Sequence, residues 1–578
     1  MAILMCLLFL SLTGPNPKPA SAMPPASPIN CNQSVCVLSN SYGAFNDRKQ
    51  CSVPTAVLYP TTEEEIRSAV AEANKNNLKV KVVSGFSHTI PKLACPDPTR
   101  SVLISTAKYN TGVKVDTVTR TVTVDSGVGL RDLINAVEAH GLSLVASPYW
   151  EGVSIGGLIS TGSHGSSWWG RGGAVHDHVV GVRIVVAARK NEGFAKVLDV
   201  DESKGSLFDA VRVSLGLLGV ISKVTLSLEP AFKRSITYSF RDDNSFQDEF
   251  ADFAKKHEFA DITWYPSQHK AVYRLDDRVP LNASGDGVND FLGFQSTPIL
   301  ATTALRATET RFQKTKNVNG QCILASTELG YKKLVANGLK NNLLLFTGYP
   351  VVGSQAKMQT SGSCLHSPPS DPLTSCAWDP RTKGLFFYES TAIFFPPNFK
   401  NFILDVKKLR DLNPNKFCGV DSYNGLMIRF IKGSSAYLGQ TEDSVVVDFN
   451  YYRADEALLP RLSQDVWEEV EQMAFFKYKA RPHWGKNRKL AFSGVKEKYM
   501  KMSRFVEVKE MWDPKGMFSS SWSDEIVFGG GGSRGDGCAM DGECVCSEDR
   551  HCRPSEGYLC RPGLVYEDAR VCRFSSSS

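Results

Sequence analysis

Apolar positions along this chain recur at two spacings, and the change from one to the other marks its elements. From Thr62 the spacing is helical. Ile66, Val70 and Ala73 share a face, Thr62 with Glu65 makes a capping box, and Asn76-Asn77 ends the run. The β-branched run at 80–83 reads as a buried strand, and 102–104 and 121–124 as further strands. Gly127-Val128-Gly129-Leu130 opens a second helix, with Leu133, Ile134 and Val137 on one side and Gly141 as its stop. The pattern then predicts a strand over 179–188, a short helix over 206–215 and a strand over 220–228. Residues 50–230 form an α+β unit on this reading.

Beyond residue 230 the pattern is sparser. Trp264 and Tyr265 fall in a strand-like stretch, where aromatics more often pack than bind. Residues 301–316 predict a helix. Residues 385–395, 427–431 and 445–452 predict strands of an antiparallel sheet within 231–480, with Glu389, Arg429 and Asp448 among its polar groups. A helix over 464–478 would cover the other face of that sheet. The Asp513-Pro514 turn predicts a return of the C-terminal strand to the first unit within 481–528. GGGGS at 529–533 reads as a flexible linker to a tail that runs to residue 578.

Two glycine-rich stretches carry chemistry. Ser84-Gly85-Phe86-Ser87-His88 follows the strand at 80–83 as a tight turn whose amides would face an anion, with a histidine where a phosphate-bearing cofactor would lie. The second, SIGGLISTGSHG at 154–165, brings backbone close to a ligand through Gly156, Gly157 and Gly162. It offers Thr161, Ser163 and His164 beside exposed amides, which suits a pyrophosphate and the polar edge of a ring. The turn at 127–130 lacks the third glycine and the βαβ surroundings of the dinucleotide fingerprint, which argues against a nicotinamide enzyme.

Composition narrows the setting. The 578 residues are 42% hydrophobic and 22% charged, as in globular protein, and the net charge of +6 without a Lys/Arg block implies no nucleic-acid partner. The apolar run at 2–12 is too short to span a bilayer and has the length of a secretory signal, assigned to residues 1–25; no later window predicts a membrane span. Asn32-Gln33-Ser34 and Asn282-Ala283-Ser284 are glycosylation sequons. Of 15 cysteines, Cys6 lies in the apolar start and the rest form an even set, six of them in the tail. An oxidising compartment, extracellular or in the cell wall, explains that number and parity. The tail is too small for a core of its own and is expected to depend on three disulfides. Its spacings do not make two CxxC halves, so no metal site is expected.

In this order and spacing, SGFSHT at 84–89, GGLISTGSHG at 156–165, MIRF at 427–430, RPHWGK at 481–486 and DPKGMF at 513–518 resemble the plant L-gulonolactone oxidase-like proteins. These belong to the aldonolactone oxidoreductase branch of the vanillyl-alcohol-oxidase type flavoproteins. The resemblance covers residues 50–520. It implies an FAD-binding domain in two parts, an antiparallel substrate cap and FAD as cofactor, held by Ser84 to His88, by the residues named in 156–165, by Ile221 and by His483. His88 matches the histidine that carries flavin through a covalent 8α link in many members, although Phe86 stands where relatives are richer in glycine.

The same resemblance gives Arg429 the role of holding negative charge that develops on the substrate oxygens, and Lys486 that of stabilising anionic reduced flavin. The usual glutamate two residues before the arginine is Met427 here, and Glu389 and Asp448 are the carboxylates in reach of that role by sequence. The implied reaction is oxidation of L-gulono-1,4-lactone, or a related aldonolactone, at C2 to give L-ascorbate, with dioxygen or another electron acceptor. Two other readings stand beside it: a secreted flavoprotein oxidase of another carbohydrate, and a non-catalytic wall-associated binding protein.

Overall fold

The computed structural model describes residues 29–32, 35–38, 51–53, 57–84, 93–97, 100–289, 296–335, 339–341, 344–345, 348–361, 373–376, 387–421, 425–452, 460–527, 535–540 and 542–575. Two sheets make the first unit. Val57–Leu58, Ser101–Ser105 and Lys79–Val83 are parallel, with Ser101–Ser105 in the middle. A five-stranded antiparallel sheet runs in the order Ala195–Asp201, Val179–Ala187, Val220–Ser227, Thr121–Asp125, Val113–Asp116.

The helix Glu63–Lys75 packs against both sheets. Ile66, Val70 and Ala73 share one core with Val80, Ile104, Val185 and Val220. The Thr62 hydroxyl accepts the Glu65 amide at 3.2 Å, as the capping pattern requires. The Glu65 carboxylate turns to the Thr61 amide, 2.6 Å away, so the box is shifted by one residue. Gly127 is required by close approach rather than by a left-handed turn: a Cβ there would lie 2.0 Å from the Thr106 carbonyl oxygen.

An eight-stranded antiparallel sheet makes the second unit. Its order is Val351–Ser354, Lys233–Asp242, Lys270–Val279, Asp261–Tyr265, Leu426–Ile431, Ser444–Tyr452, Phe387–Phe394, Arg481–Pro482. Successive side chains alternate between its faces. On one face Ile262, Ile428, Phe430, Val445, Val447, Phe449 and Phe394 form a core with residues of the helices Phe246–Lys256, Pro396–Leu412 and Gln464–Gln472. The other face carries Asp261, Thr263, Arg274, Met427, Arg429, Asp448 and Thr391 in register. Strands 427–431 and 445–452 therefore form as the alternation predicts. Trp264 and Tyr265 are buried and pack, Trp264 donating to Asp243 at 2.8 Å.

One expectation changes, and two elements are added. The C-terminal return is helical: Met502–Trp512 and Ser521–Ile526 flank the Asp513 turn, and the Met517 carbonyl accepts the Val80 amide at 2.8 Å. Asp513 takes the amides of Met517 and Phe518, which leaves no extended ladder there. The helix Val318–Val335 was not signalled, because its apolar residues do not concentrate on one face. The segment around Cys31 is a small sheet, Ile29–Asn32, Val35–Leu38 and Cys51–Val53, held by Cys31–Cys36 and Cys51–Cys95.

The tail carries three disulfides, Cys538–Cys544, Cys546–Cys560 and Cys552–Cys572. It docks on the helix Gln464–Gln472. The Glu469 carboxylate accepts the amides of Leu564, Val565 and Tyr566 at 2.8, 2.6 and 3.0 Å, and Glu468 accepts that of Cys572 at 2.9 Å. The tail is thus a structural cap on the second unit; the linker at 529–533 lies outside the described residues. Among the described residues no helix is long and apolar enough to cross a membrane.

Candidate active site

The two glycine-rich stretches meet at one hydrogen bond. Ser154, the N-cap of the helix Ile155–Ser160, donates through Oγ to Ser84 Oγ at 2.5 Å. Gly85, Phe86, Ser87 and His88 lie outside the described residues. The second stretch is a short helix and turn rather than a loop, and its amides are mostly spent on backbone. Those of Gly156, Thr161, Gly162 and Ser163 reach the carbonyls of Ser126, Gly157, Ile159 and Leu158. The expectation of exposed amides is corrected accordingly. What the stretch offers a ligand is closeness and hydroxyls. A Cβ at Gly156 would lie 2.9 Å from Ser126 Cβ, and one at Gly165 2.7 Å from the Ser147 carbonyl oxygen. Ser163 is half-buried, and Gly157 has space beside it. Ile221 sits in the hydrophobic core, opposite Ile184, so its side chain faces packing partners.

The residues expected in the cap converge with this helix. Arg429 is buried, donates to the His164 carbonyl at 3.2 Å and pairs with Asp448 Oδ2 at 2.5 Å. Lys486 Nζ reaches the other oxygen of Asp448 at 3.2 Å, and Thr391 Oγ1 donates to that oxygen at 2.6 Å. His164 and His483 face one another with ring centroids 5.1 Å apart. His164 Nδ1 donates to the Gly165 carbonyl, while His483 Nδ1 accepts the Gly485 amide at 2.9 Å, which leaves the proton of the neutral ring on Nε2. Gly485 passes close to Thr161, where a Cβ would lie 3.2 Å from Oγ1. Trp484 packs on Tyr499 and Phe492 and donates to the Leu438 carbonyl, which holds the segment in place.

Burial sets the charge states. Burial, then the Lys486 ammonium, pushes His483 down to about 3, and burial with Arg429 and His483 holds His164 well below the usual imidazole range, so both rings are neutral near pH 7. Burial alone would raise the Asp448 pKa; Arg429, Lys486 and the Thr391 hydrogen bond outweigh it and hold the carboxyl well below the usual range. The center thus brings two cations onto the Asp448 carboxylate. It continues a buried ladder of opposite charges: the Arg429 guanidinium lies over the Tyr149 ring, Tyr149 donates to Asp261 at 2.7 Å, and Arg274 pairs with Asp261 and Asp276.

Several of these residues escaped the sequence reading. Tyr149 and Thr391 lie in no motif. Asn487 follows RPHWGK directly and adopts φ 122°, and its side chain binds Thr391 and His483 backbone, fixing the strand beside Lys486. Its place one residue beyond the motif is a signal that was there to be read.

The donor set fits a flavin dinucleotide. Close-packed glycine backbone and the hydroxyls of Ser84, Ser154 and Thr161 line the seam, and among the described residues the buried Ser126 Oγ and both ring nitrogens of His176 have no hydrogen-bond partner. Residues 54–189 match an FAD binding domain, 423–526 the D-arabinono-1,4-lactone oxidase family, and 535–574 the L-gulonolactone oxidase 2-like C-terminal domain. Among solved structures, cholesterol oxidase from B. sterolicum superposes with a TM-score of 0.63 at 14% identity, covering 89% of this chain and 100% of that one. Fold and site together define a two-part FAD-binding flavoprotein with an antiparallel substrate cap.

L-gulonolactone oxidase 3 of Arabidopsis thaliana is 62% identical over 556 residues, covering 96% of this chain and 95% of that protein. L-gulonolactone oxidase 2 of the same plant is 47% identical over 558 residues, covering 96% and 94%. The chain belongs to the L-gulonolactone oxidase family.

Proposed function

We propose that this protein oxidises L-gulono-1,4-lactone, or a closely related aldonolactone, at C2. The observation that carries the reading is the convergence of buried Arg429 and Lys486 where the lactone-oxidase segment meets the FAD-binding segment. FAD, when bound, supplies the hydride acceptor. Ser84, Ser154 and Thr161 hold the cofactor at the seam. Arg429 presents a guanidinium fork to the oxygens on C1 and C2, where negative charge grows as hydride leaves C2 and the hydroxyl proton passes to water. Lys486 adds positive charge beside the cofactor. The neutral rings of His164 and His483 wall the site without adding charge, and His483 Nε2–H is a donor. The product, a 2-keto lactone, rearranges to L-ascorbate.

The protein acts in the secretory pathway, outside the cell or in its wall. Six disulfides among the described residues and exposed asparagines in both sequons support that setting. Anaerobic mixing with L-gulono-1,4-lactone is expected to bleach the visible flavin bands. Oxygen uptake on readmitting air identifies dioxygen as acceptor, and its absence a separate acceptor. Full flavin loading without bleaching by any lactone would refute the reading and favour another carbohydrate. A colourless native protein would favour a binding role. We assign His88 the covalent link: acid-precipitated protein is expected to retain flavin fluorescence, and complete release of flavin would remove that assignment alone.

A further inference from the structure

Asp448 is the point at which both expected cations of the site end. Met427 and Asp448 are register partners on adjacent strands, so their side chains leave the same face of the sheet, with Cβ atoms about 5 Å apart. A carboxylate missing at 427 is therefore present one strand away. We propose that Asp448 is the substrate-binding carboxylate of this site and accepts the hydrogen bond of the lactone C2 hydroxyl while it holds Arg429 and Lys486 in place. The inference rests on the lactone reading.

Acceptor capacity supports it. A carboxylate offers about four lone-pair sites. Lys486 and Thr391 occupy Oδ1 and Arg429 one side of Oδ2, which among the described residues leaves one acceptor site on Oδ2. Two polar neighbours on that face, Thr263 and Asp261, are committed elsewhere. On the far side of Met427 its register partner Thr263 takes a hydrogen bond from Lys332 at 2.7 Å. Asp261, on the same face, binds Tyr149 and Arg274.

The test uses flavin-loaded full-length protein. Asp448→Asn keeps the shape, removes the charge and weakens the acceptor. Loss of a hydrogen bond to a charged group is expected to raise the half-saturating lactone concentration in anaerobic bleaching by about tenfold or more. The added net positive charge is expected to raise the flavin midpoint potential, measured by equilibration with redox dyes, a shift that a merely structural role does not predict. Met427→Glu combined with Asp448→Asn returns a carboxylate to the same face and is expected to reverse part of both increases. Bleaching of the wild type beside an Asp448→Asn protein with unchanged half-saturation overturns the proposal alone. A wild type that no lactone bleaches overturns the functional reading and this proposal with it. Should Asp448→Asn lose its flavin, Asp448→Glu, which keeps the charge but moves it, decides: a raised half-saturation with unchanged potential supports the proposal, and wild-type half-saturation overturns it.

Discussion

At the scale of the residue, the site depends on what is buried without freedom to move. Arg429 lies on a cap strand, held by Asp448 and the His164 carbonyl. Arg429→Ala is expected to keep the yellow colour and slow flavin reduction by the lactone roughly 10²-fold or more, the loss of one oxyanion-type donor. Stopped-flow bleaching measures it, and a wild-type rate would take the arginine out of the chemistry. Gly165 is the complementary case. A Cβ there meets the Ser147 carbonyl oxygen at 2.7 Å, and backbone cannot move aside as a side chain can. Gly165→Ala is expected to cost about 1–3 kcal/mol of stability and to lower the flavin content of purified protein. Unchanged thermal unfolding and loading would show that the chain relaxes there at no cost.

Among elements, the helix Gln464–Gln472 is the unusual one, since its carboxylates point into protein instead of water. Glu469 and Glu468 take amides from the tail, and Glu471 pairs with Arg488, two residues beyond Lys486. Burial pushes Glu468 up to about 7, against partial relief from Arg488 and Gln464. The folded protein therefore holds this proton more tightly than the unfolded chain does. The sign follows: between roughly pH 4.5 and 7 the folded state binds more protons, so this group makes stability fall as pH rises across that window, by up to about 3 kcal/mol. Glu468→Gln is expected to flatten the fall in urea unfolding measured at pH 5 and pH 7.5. An identical slope in the variant would place the titration elsewhere.

Over the whole molecule, covalent links tie regions that sequence alone leaves apart. Cys322–Cys418 joins the Val318–Val335 helix to the cap, and the three tail disulfides close a segment that shares its hydrogen bonds with the cap helix. Non-reducing peptide mapping of native protein is expected to recover these pairs, and a glycan on Asn282 would mark passage through the secretory pathway. Free thiols at all of these cysteines would contradict the oxidising setting. Reduction is expected to detach the tail hairpin first, because among the described residues its own apolar cluster is little more than its half-cystines.

Local patterning was enough for much of this protein. Period-two alternation in 427–431 and 445–452 already separates Ile428, Phe430, Val445 and Val447 from Arg429 and Asp448, because one face of the sheet must be apolar to pack. Helical spacing with a threonine cap likewise determined the helix after Thr62, and the number of cysteines determined the dependence of the tail on disulfides. Other features needed the folded chain. Residues 154–165 promised open amides beside their glycines, yet hydrogen bonds to the Ser126 and Val128 carbonyls and a short helix consume most of those amides. The helix Val318–Val335 has little amphipathic signal and is held by its neighbours. Asp448 sits 38 residues from Lys486, and the two meet only because the strands carry them to one face. Long-range pairing of charge is decided by register and burial, which no window of sequence contains.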